Sequence, residues 1–161
     1  MMDTRFELID RCTTFNELLH DMELLLNKEH LFYGHGTGNA MDESMAILMY
    51  LSESNDVLDE EQLKTSISDQ VQEKAKEVLY QRVTESKPLP YITNEAYFCG
   101  KKFYVDERVL IPRSPIAELI NNRFEPWLNP NSINRVLEIG TGSGCIASVS
   151  YTHLTLPTTE A

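Results

Sequence analysis

Glycines at positions 140, 142 and 144, set directly behind the apolar run Val136-Leu137-Glu138-Ile139, form the constellation with the clearest chemical meaning in this chain of 161 residues. From Asn134 to Ala147 the sequence reads NRVLEIGTGSGCIA, the pattern of a strand that ends in a sharp turn and launches a helix. Residues without a Cβ let the backbone turn tightly and let a ligand approach its amides, and a helix N-terminus behind them adds partial positive charge. A dinucleotide fingerprint places glycines at relative positions one, three and six, and the sixth position here is Cys145. The spacing is instead one, three, five. Glu138 would close the strand and accept hydrogen bonds from the turn's amides, leaving Gly140, Thr141, Gly142, Ser143 and Gly144 open toward a ligand. The other reading of these residues is a glycine-rich connection that holds nothing.

This E-x-G-x-G-x-G arrangement resembles the first motif of Rossmann-like S-adenosylmethionine-dependent methyltransferases, which makes S-adenosyl-L-methionine the expected cofactor. A wider resemblance runs from about Tyr33 to Ala147. Tyr91-Ile92-Thr93-Asn94-Glu95-Ala96-Tyr97-Phe98-Cys99-Gly100, Phe103-Tyr104-Val105-Asp106 and Leu110-Ile111-Pro112-Arg113-Ser114-Pro115 together look like the bacterial protein-glutamine N5-methyltransferases. Arg113-Ser114-Pro115-Ile116 and Tyr33-Gly34-His35-Gly36-Thr37 are similar to the branch that modifies large-subunit ribosomal protein uL3, rather than the branch that modifies peptide chain release factors. The resemblance implies that Glu138 and the glycine turn bind the cofactor, that the substrate is a glutamine side-chain amide of uL3, and that an Asn-Pro-Pro-Tyr motif holds that amide. No Asn-Pro-Pro-Tyr occurs in the sequence, so no catalytic residue is assigned. Arg113 either reaches the cofactor carboxylate or the target backbone, or is a solvated side chain beside a helix cap.

The elements that must position this motif are expected to be of α/β class, in an order of helical domain, hairpin and the opening strand of a sheet. Residues 1–87 read as a helical substrate-recognition domain. Thr14 and Glu17 fit a capping box, followed at helical spacing by Phe15, Leu18, Leu19, Met22, Leu25 and Leu26. Met41, Met45, Leu48 and Met49 mark a second helix, with the methionines as core filling. Ile67, Val71, Ala75, Val78, Leu79 and Arg82 mark a third, broken by the prolines of Lys87-Pro88-Leu89-Pro90. Tyr33 to Gly38 is too glycine-rich for regular structure, and is either a substrate-facing loop or a plain interhelical turn. Residues 88–111 read as a hairpin linker around Cys99-Gly100-Lys101, and residues 112–147 as an incomplete start of the methyltransferase domain. In this last segment Ser114 is expected to cap a helix with Pro115 at its first position.

From Ser148 to Ala161 the chain turns rich in hydroxyl and β-branched residues where an amphipathic helix should follow, and Pro157 would break one. That tail is expected to be non-native, the enzyme truncated near Ala147, and the chain inactive as written.

Charge and cysteine usage narrow the partners. Residues 1–111 hold 11 Lys plus Arg against 21 Asp plus Glu, a net of −10 within the chain's −11. An acidic helical domain suits a basic protein and is repelled by bare nucleic acid, although the acidic run Glu53–Glu61 also reads as a solvated loop. Cys12, Cys99 and Cys145 are isolated thiols, and His20, His30, His35 and His153 lack metal-ligand spacing, so neither disulfides nor a metal are expected. With no signal peptide or apolar span in view, the expected compartment is the cytoplasm. Two readings from other classes stay open: a nicotinamide-dependent oxidoreductase, disfavoured by the glycine spacing, and a non-catalytic helical docking module with a vestigial nucleotide-binding turn.

Overall fold

The computed structural model describes residues 4–54, 56–133 and 135–154; Asn134 and the tail residues Thr155 to Ala161, with Pro157 and Glu160, lie outside the described residues. The chain divides into two compact units, Met1–Thr93 and Asn94–Ala161.

In the first unit, helix α1 spans Phe15–Lys28 and begins where the sequence places a capping box. Thr14 Oγ1 accepts the Glu17 amide at 3.3 Å, and the Glu17 carboxylate accepts the Thr14 amide at 3.3 Å in return. Two of the orphan amides of the first turn are thereby satisfied. Leu18, Leu19, Met22, Leu25 and Leu26 are buried along one face, as the periodicity predicts, while Phe15 packs at the edge of the core. Helix α2 spans Ala40–Ser52 and is capped by Asn39, whose side chain accepts the Asp42 amide at 2.8 Å. The methionine face expected for it is displaced. The buried face is Ala40, Glu43, Ser44, Ile47, Leu48 and Leu51, whereas Met45 and Met49 are half-buried and Met41 is exposed. A polar pair, Glu43 and Ser44, lies in the stripe that the hydrophobic pattern assigned to its neighbours.

The acidic run read as a loop contains a short helix, α3, at Glu60–Leu63, started by a second capping box between Asp59 and Gln62. Helix α4, Asp69–Val83, starts from Ser68 and buries Ala75, Val78, Leu79, Arg82 and Val83. Residues far apart in sequence then close the unit. The Phe15 amide donates to Thr65 O at 3.2 Å, the Ile67 amide to Thr13 O at 2.9 Å, and the Gln72 side-chain amide to Cys12 O. One hydrophobic core results, running from Phe6 and Ile9 to Leu89. Helix α4 ends at Val83, ahead of the prolines, and Pro90 falls in helix α5, Leu89–Thr93, where its missing N–H lies among first-turn amides that have no helical partner anyway. Tyr91 to Thr93 are therefore helical, not the first part of the hairpin.

The second unit begins with that hairpin: β1, Glu95–Phe98, pairs antiparallel with β2, Lys101–Tyr104, in the register Glu95↔Tyr104 and Phe98↔Lys101. Cys99 and Gly100 form the two-residue connection with φ of 48° and 70°. Positive φ at both central residues is the turn whose twist matches paired strands. Helix α6, Ile116–Asn121, follows, with Pro115 at the cap position one residue ahead of the predicted Ser114. Ser114 still supplies the capping oxygen, accepting the Ile116 amide at 3.3 Å. Helix α7, Cys145–Leu154, packs Cys145 and Val149 with Phe98 and Ile120 into a small second core.

Two expectations in this unit are corrected. The strand over Val136–Ile139 does not form: the segment is irregular, with Leu137 85% and Ile139 88% exposed. The β1–β2 pair is the sheet found among the described residues, and an isolated apolar segment without a neighbouring strand has no partner for its backbone. Conversely, the hydroxyl-rich sequence after Ala147 is helical as far as Leu154. Low intrinsic propensity costs only a few tenths of a kcal/mol per residue, and burial of Cys145 and Val149 outweighs it. Thr152 Oγ1 donates to Ser148 O at 3.0 Å, so a hydroxyl that could compete with the helix is used inside it. Among the described residues no helix is long and apolar enough to cross a membrane.

Candidate functional site

The glycine turn is built although its strand is not. Gly140, Gly142 and Gly144 have φ of 75°, 54° and 75°, so all three occupy the left-handed region that glycine enters without penalty. The Gly144 amide donates to Thr141 O at 2.8 Å, closing the turn, and the Ser148 amide donates to Gly144 O at 3.0 Å, beginning the helical ladder. A Cβ added at any of the three glycines would meet no heavy atom within 4 Å. The space beside them is open. Gly140, Thr141 and Gly142 are exposed, Ser143 and Gly144 half-buried, and the N-terminus of α7 lies directly behind. An anionic or hydrogen-bond-accepting group can therefore meet free amides and the positive end of a helix dipole.

Glu138 shows a second sign of an unfilled role. Its Oε2 is buried and has no hydrogen-bond partner, so it does not accept from the turn's amides. A buried acceptor left unpaired costs roughly 1–3 kcal/mol, which a ligand donor such as a hydroxyl would recover. Arg123 Nε in the same unit is likewise buried and unpartnered. Arg113 is exposed and makes no hydrogen bond or ion pair among the described residues, so nothing ties it to the turn. Asp106, just past β2, is engaged locally. Arg108 donates to it from backbone and side chain, and these bonds hold its carboxyl down at about 2. Among the described residues no group of three His, Cys, Asp or Glu is placed to hold a metal ion.

The first unit contains an arrangement that motif reading missed. Glu43 and Arg82, 2% and 4% exposed, form an ion pair between α2 and α4 through Arg82 Nε and Glu43 Oε1. Arg82 Nη2 also donates to Phe32 O at 2.9 Å, and Thr37 Oγ1 donates to Glu43 Oε2 at 2.9 Å. The Tyr33 hydroxyl donates to Leu26 O at 3.1 Å, and its ring lies 5.9 Å from the Arg82 guanidinium carbon. Burial and then the Glu43 charge push the Tyr33 hydroxyl above its usual range. The glycine-rich loop from Tyr33 to Gly38 is thus fastened from below at both ends. The signal was present, since Arg82 stands at core spacing in the apolar stripe of α4, and a charged residue there needs a buried partner.

No protein-family model matches the chain. Over 122 residues, 75% of this chain and 39% of the relative, it is 38% identical to the ribosomal protein uL3 glutamine methyltransferase of Francisella tularensis subsp. tularensis (strain SCHU S4). Over 136 residues, 83% of this chain and 45% of the relative, it is 37% identical to the ribosomal protein uL3 glutamine methyltransferase of Bordetella pertussis (strain Tohama I). The chain spans less than half the length of these curated relatives, and both carry the name of the branch that its motifs resemble.

Proposed function

We infer that this chain is part of a protein-glutamine N5-methyltransferase that transfers a methyl group from S-adenosyl-L-methionine to a glutamine side-chain amide of ribosomal protein uL3. The observation that carries the cofactor assignment is the open left-handed turn Gly140–Gly144 at the N-terminus of α7, with the orphaned Glu138 carboxylate oxygen beside it in sequence. Kinship with the two relatives supports the substrate. In this reading the segment Val136–Ile139 is the first strand of a Rossmann-like sheet, and its apolar side chains are the faces that further strands and helices would cover. A ribosomal protein as substrate places the work in the cytoplasm.

The amides of Gly142 and Ser143 would hold the cofactor's polar groups, and Glu138 would accept one of its donors. The cofactor supplies an electrophilic methyl group when bound. The target amide nitrogen is a weak nucleophile, because its lone pair is delocalised into the carbonyl, so rate enhancement must come from orientation, hydrogen bonding and exclusion of water. This chain's residues contribute the first of these by fixing one reactant.

Titration calorimetry of the full-length protein with S-adenosylmethionine, followed by mass spectrometry of uL3 incubated with both, tests the reading. Binding together with one added methyl on a uL3 glutamine is expected, and Gly142→Val is expected to weaken cofactor binding at least about tenfold by filling the open side of the turn. Methylation of a release factor with uL3 untouched would move the protein to the other branch. No cofactor binding at all would leave only a docking module.

A further inference from the structure

Phe32 is 67% exposed, yet it stands on a loop tethered to the buried side chains of Arg82 and Glu43. Its carbonyl is held by buried Arg82, and its ring lies over Gly34, where an added Cβ would come within 3.1 Å of Phe32 Cε1 and Cζ. The same ring meets His35 edge-on at 5.5 Å between centroids. On the far side of the loop, Thr37 is tied to Glu43, and Gly38 and Asn39 donate to Asp42 at 3.2 and 3.0 Å. Gly36, at φ 120°, has open space where a side chain would be. The backbone from residue 32 to 39 is set in advance, and an aromatic face is left in water.

We propose that the loop 32–39, shaped from beneath by the Glu43–Arg82 pair and presenting Phe32, docks a Lys- or Arg-rich segment of the uL3 substrate. This deepens the methyltransferase reading and rests on it for the partner. A buried ion pair seldom stabilises a fold more than apolar residues of the same volume would, so fixing one loop geometry is the role that distinguishes this one. Preorganised aromatic side chains are the commonest interface anchors, because little entropy remains to be lost on binding. The occupant follows from charge. Residues 1–93 carry 8 Lys plus Arg and 18 Asp plus Glu, a net of −10. A ribosomal protein is cationic because it neutralises RNA phosphates, and its Lys and Arg side chains can stack on an exposed Phe while the acidic unit draws them in.

The full-length enzyme with Phe32→Ala, with Phe32→Tyr, and with the paired replacement Glu43→Leu/Arg82→Met tests this. Steady-state KM for uL3, kcat and the dissociation constant for S-adenosylmethionine would be measured for each. Phe32→Ala and the paired replacement are expected to raise KM about tenfold or more, leaving kcat and cofactor affinity unchanged, and Phe32→Tyr is expected to restore KM. An unchanged KM in a folded Phe32→Ala enzyme overturns the dock while leaving the methyl-transfer reading intact. Fluorescence anisotropy of labelled uL3 with the 161-residue chain separates the two claims further. Binding that Phe32→Ala abolishes supports the dock even where no methyl transfer is found, and no binding by the unaltered chain overturns it.

Discussion

At the scale of single residues, buried polar groups decide most of what can be tested. Glu43 and Arg82 are desolvated together, so removing one partner strands the other. Arg82→Met alone is expected to cost about 3–5 kcal/mol, whereas Glu43→Leu/Arg82→Met is expected to lie near the parent, both read from urea unfolding midpoints. Ser44, fully buried next to Glu43, has a hydroxyl with no hydrogen-bond partner. Ser44→Ala is therefore expected to raise stability by about 1 kcal/mol, helped by the better helix propensity of alanine. Cys12 is buried between the Leu8 carbonyl and Asp21, and burial first, then the Asp21 charge, pushes its thiol up to about 12. Since the folded value lies above the ordinary 9.0, this group's stabilising contribution is complete below pH 9 and is lost as pH rises toward 12. Alkylation at pH 8 should accordingly spare Cys12 in the native protein and modify it in urea. Of the ion pair, the sequence marks Arg82 as belonging to a buried face but not Glu43, because partnership across 39 positions leaves no local trace.

At the scale of elements, legibility followed the range of the forces involved. Capping is local, so Thr14 and Glu17 announced the start of α1, and Thr14→Ala is expected to cost about 1 kcal/mol, checked by thermal unfolding. The Cys99-Gly100 turn is local too, and the hairpin was found where the aromatic and β-branched residues alternate. The face of α2 was misread because methionine and isoleucine score alike in a hydrophobic pattern, whereas the buried stripe is fixed by tertiary partners, Glu43 and Ser44 among them. The sequence from Ser148 onward is a poor helix former by propensity, yet it continues the helix Cys145–Leu154, because packing of Cys145 and Val149 against Phe98 and Ile120 prevails. Val136–Ile139 shows the converse: its strand pattern is plain in the sequence, but a strand is a relationship between segments, and no second segment pairs with it among the described residues.

At the scale of the whole molecule, each unit has a core of its own, and the two differ in completeness. The first gathers residues from Phe6 to Leu89 around one interior; among the described residues the second buries Phe98, Ile120, Cys145 and Val149 as a small cluster and leaves Leu137, Ile139, Trp127 and Tyr151 exposed. Such apolar surface promotes association. The 161-residue chain is expected to bind a hydrophobic dye and to self-associate on light scattering, and Leu137→Lys/Ile139→Lys is expected to reduce both. The acidic balance, the helical first unit and the glycine turn were all readable from composition and spacing; the fastening of the loop at Tyr33–Gly38 was not.

Thr13, Thr14 and Phe15 are joined to Ile67, Ser66 and Thr65 just ahead of α4, and the core that this closure seals ends at Leu89. Chains leave the ribosome N-terminus first and domains fold as they emerge, so every residue of that core is available before the glycine turn has been translated. Protein synthesis thus delivers a shaped loop around Phe32 before the glycine turn exists, so on the proposed reading a nascent chain would acquire its docking surface earlier than any capacity to hold a cofactor.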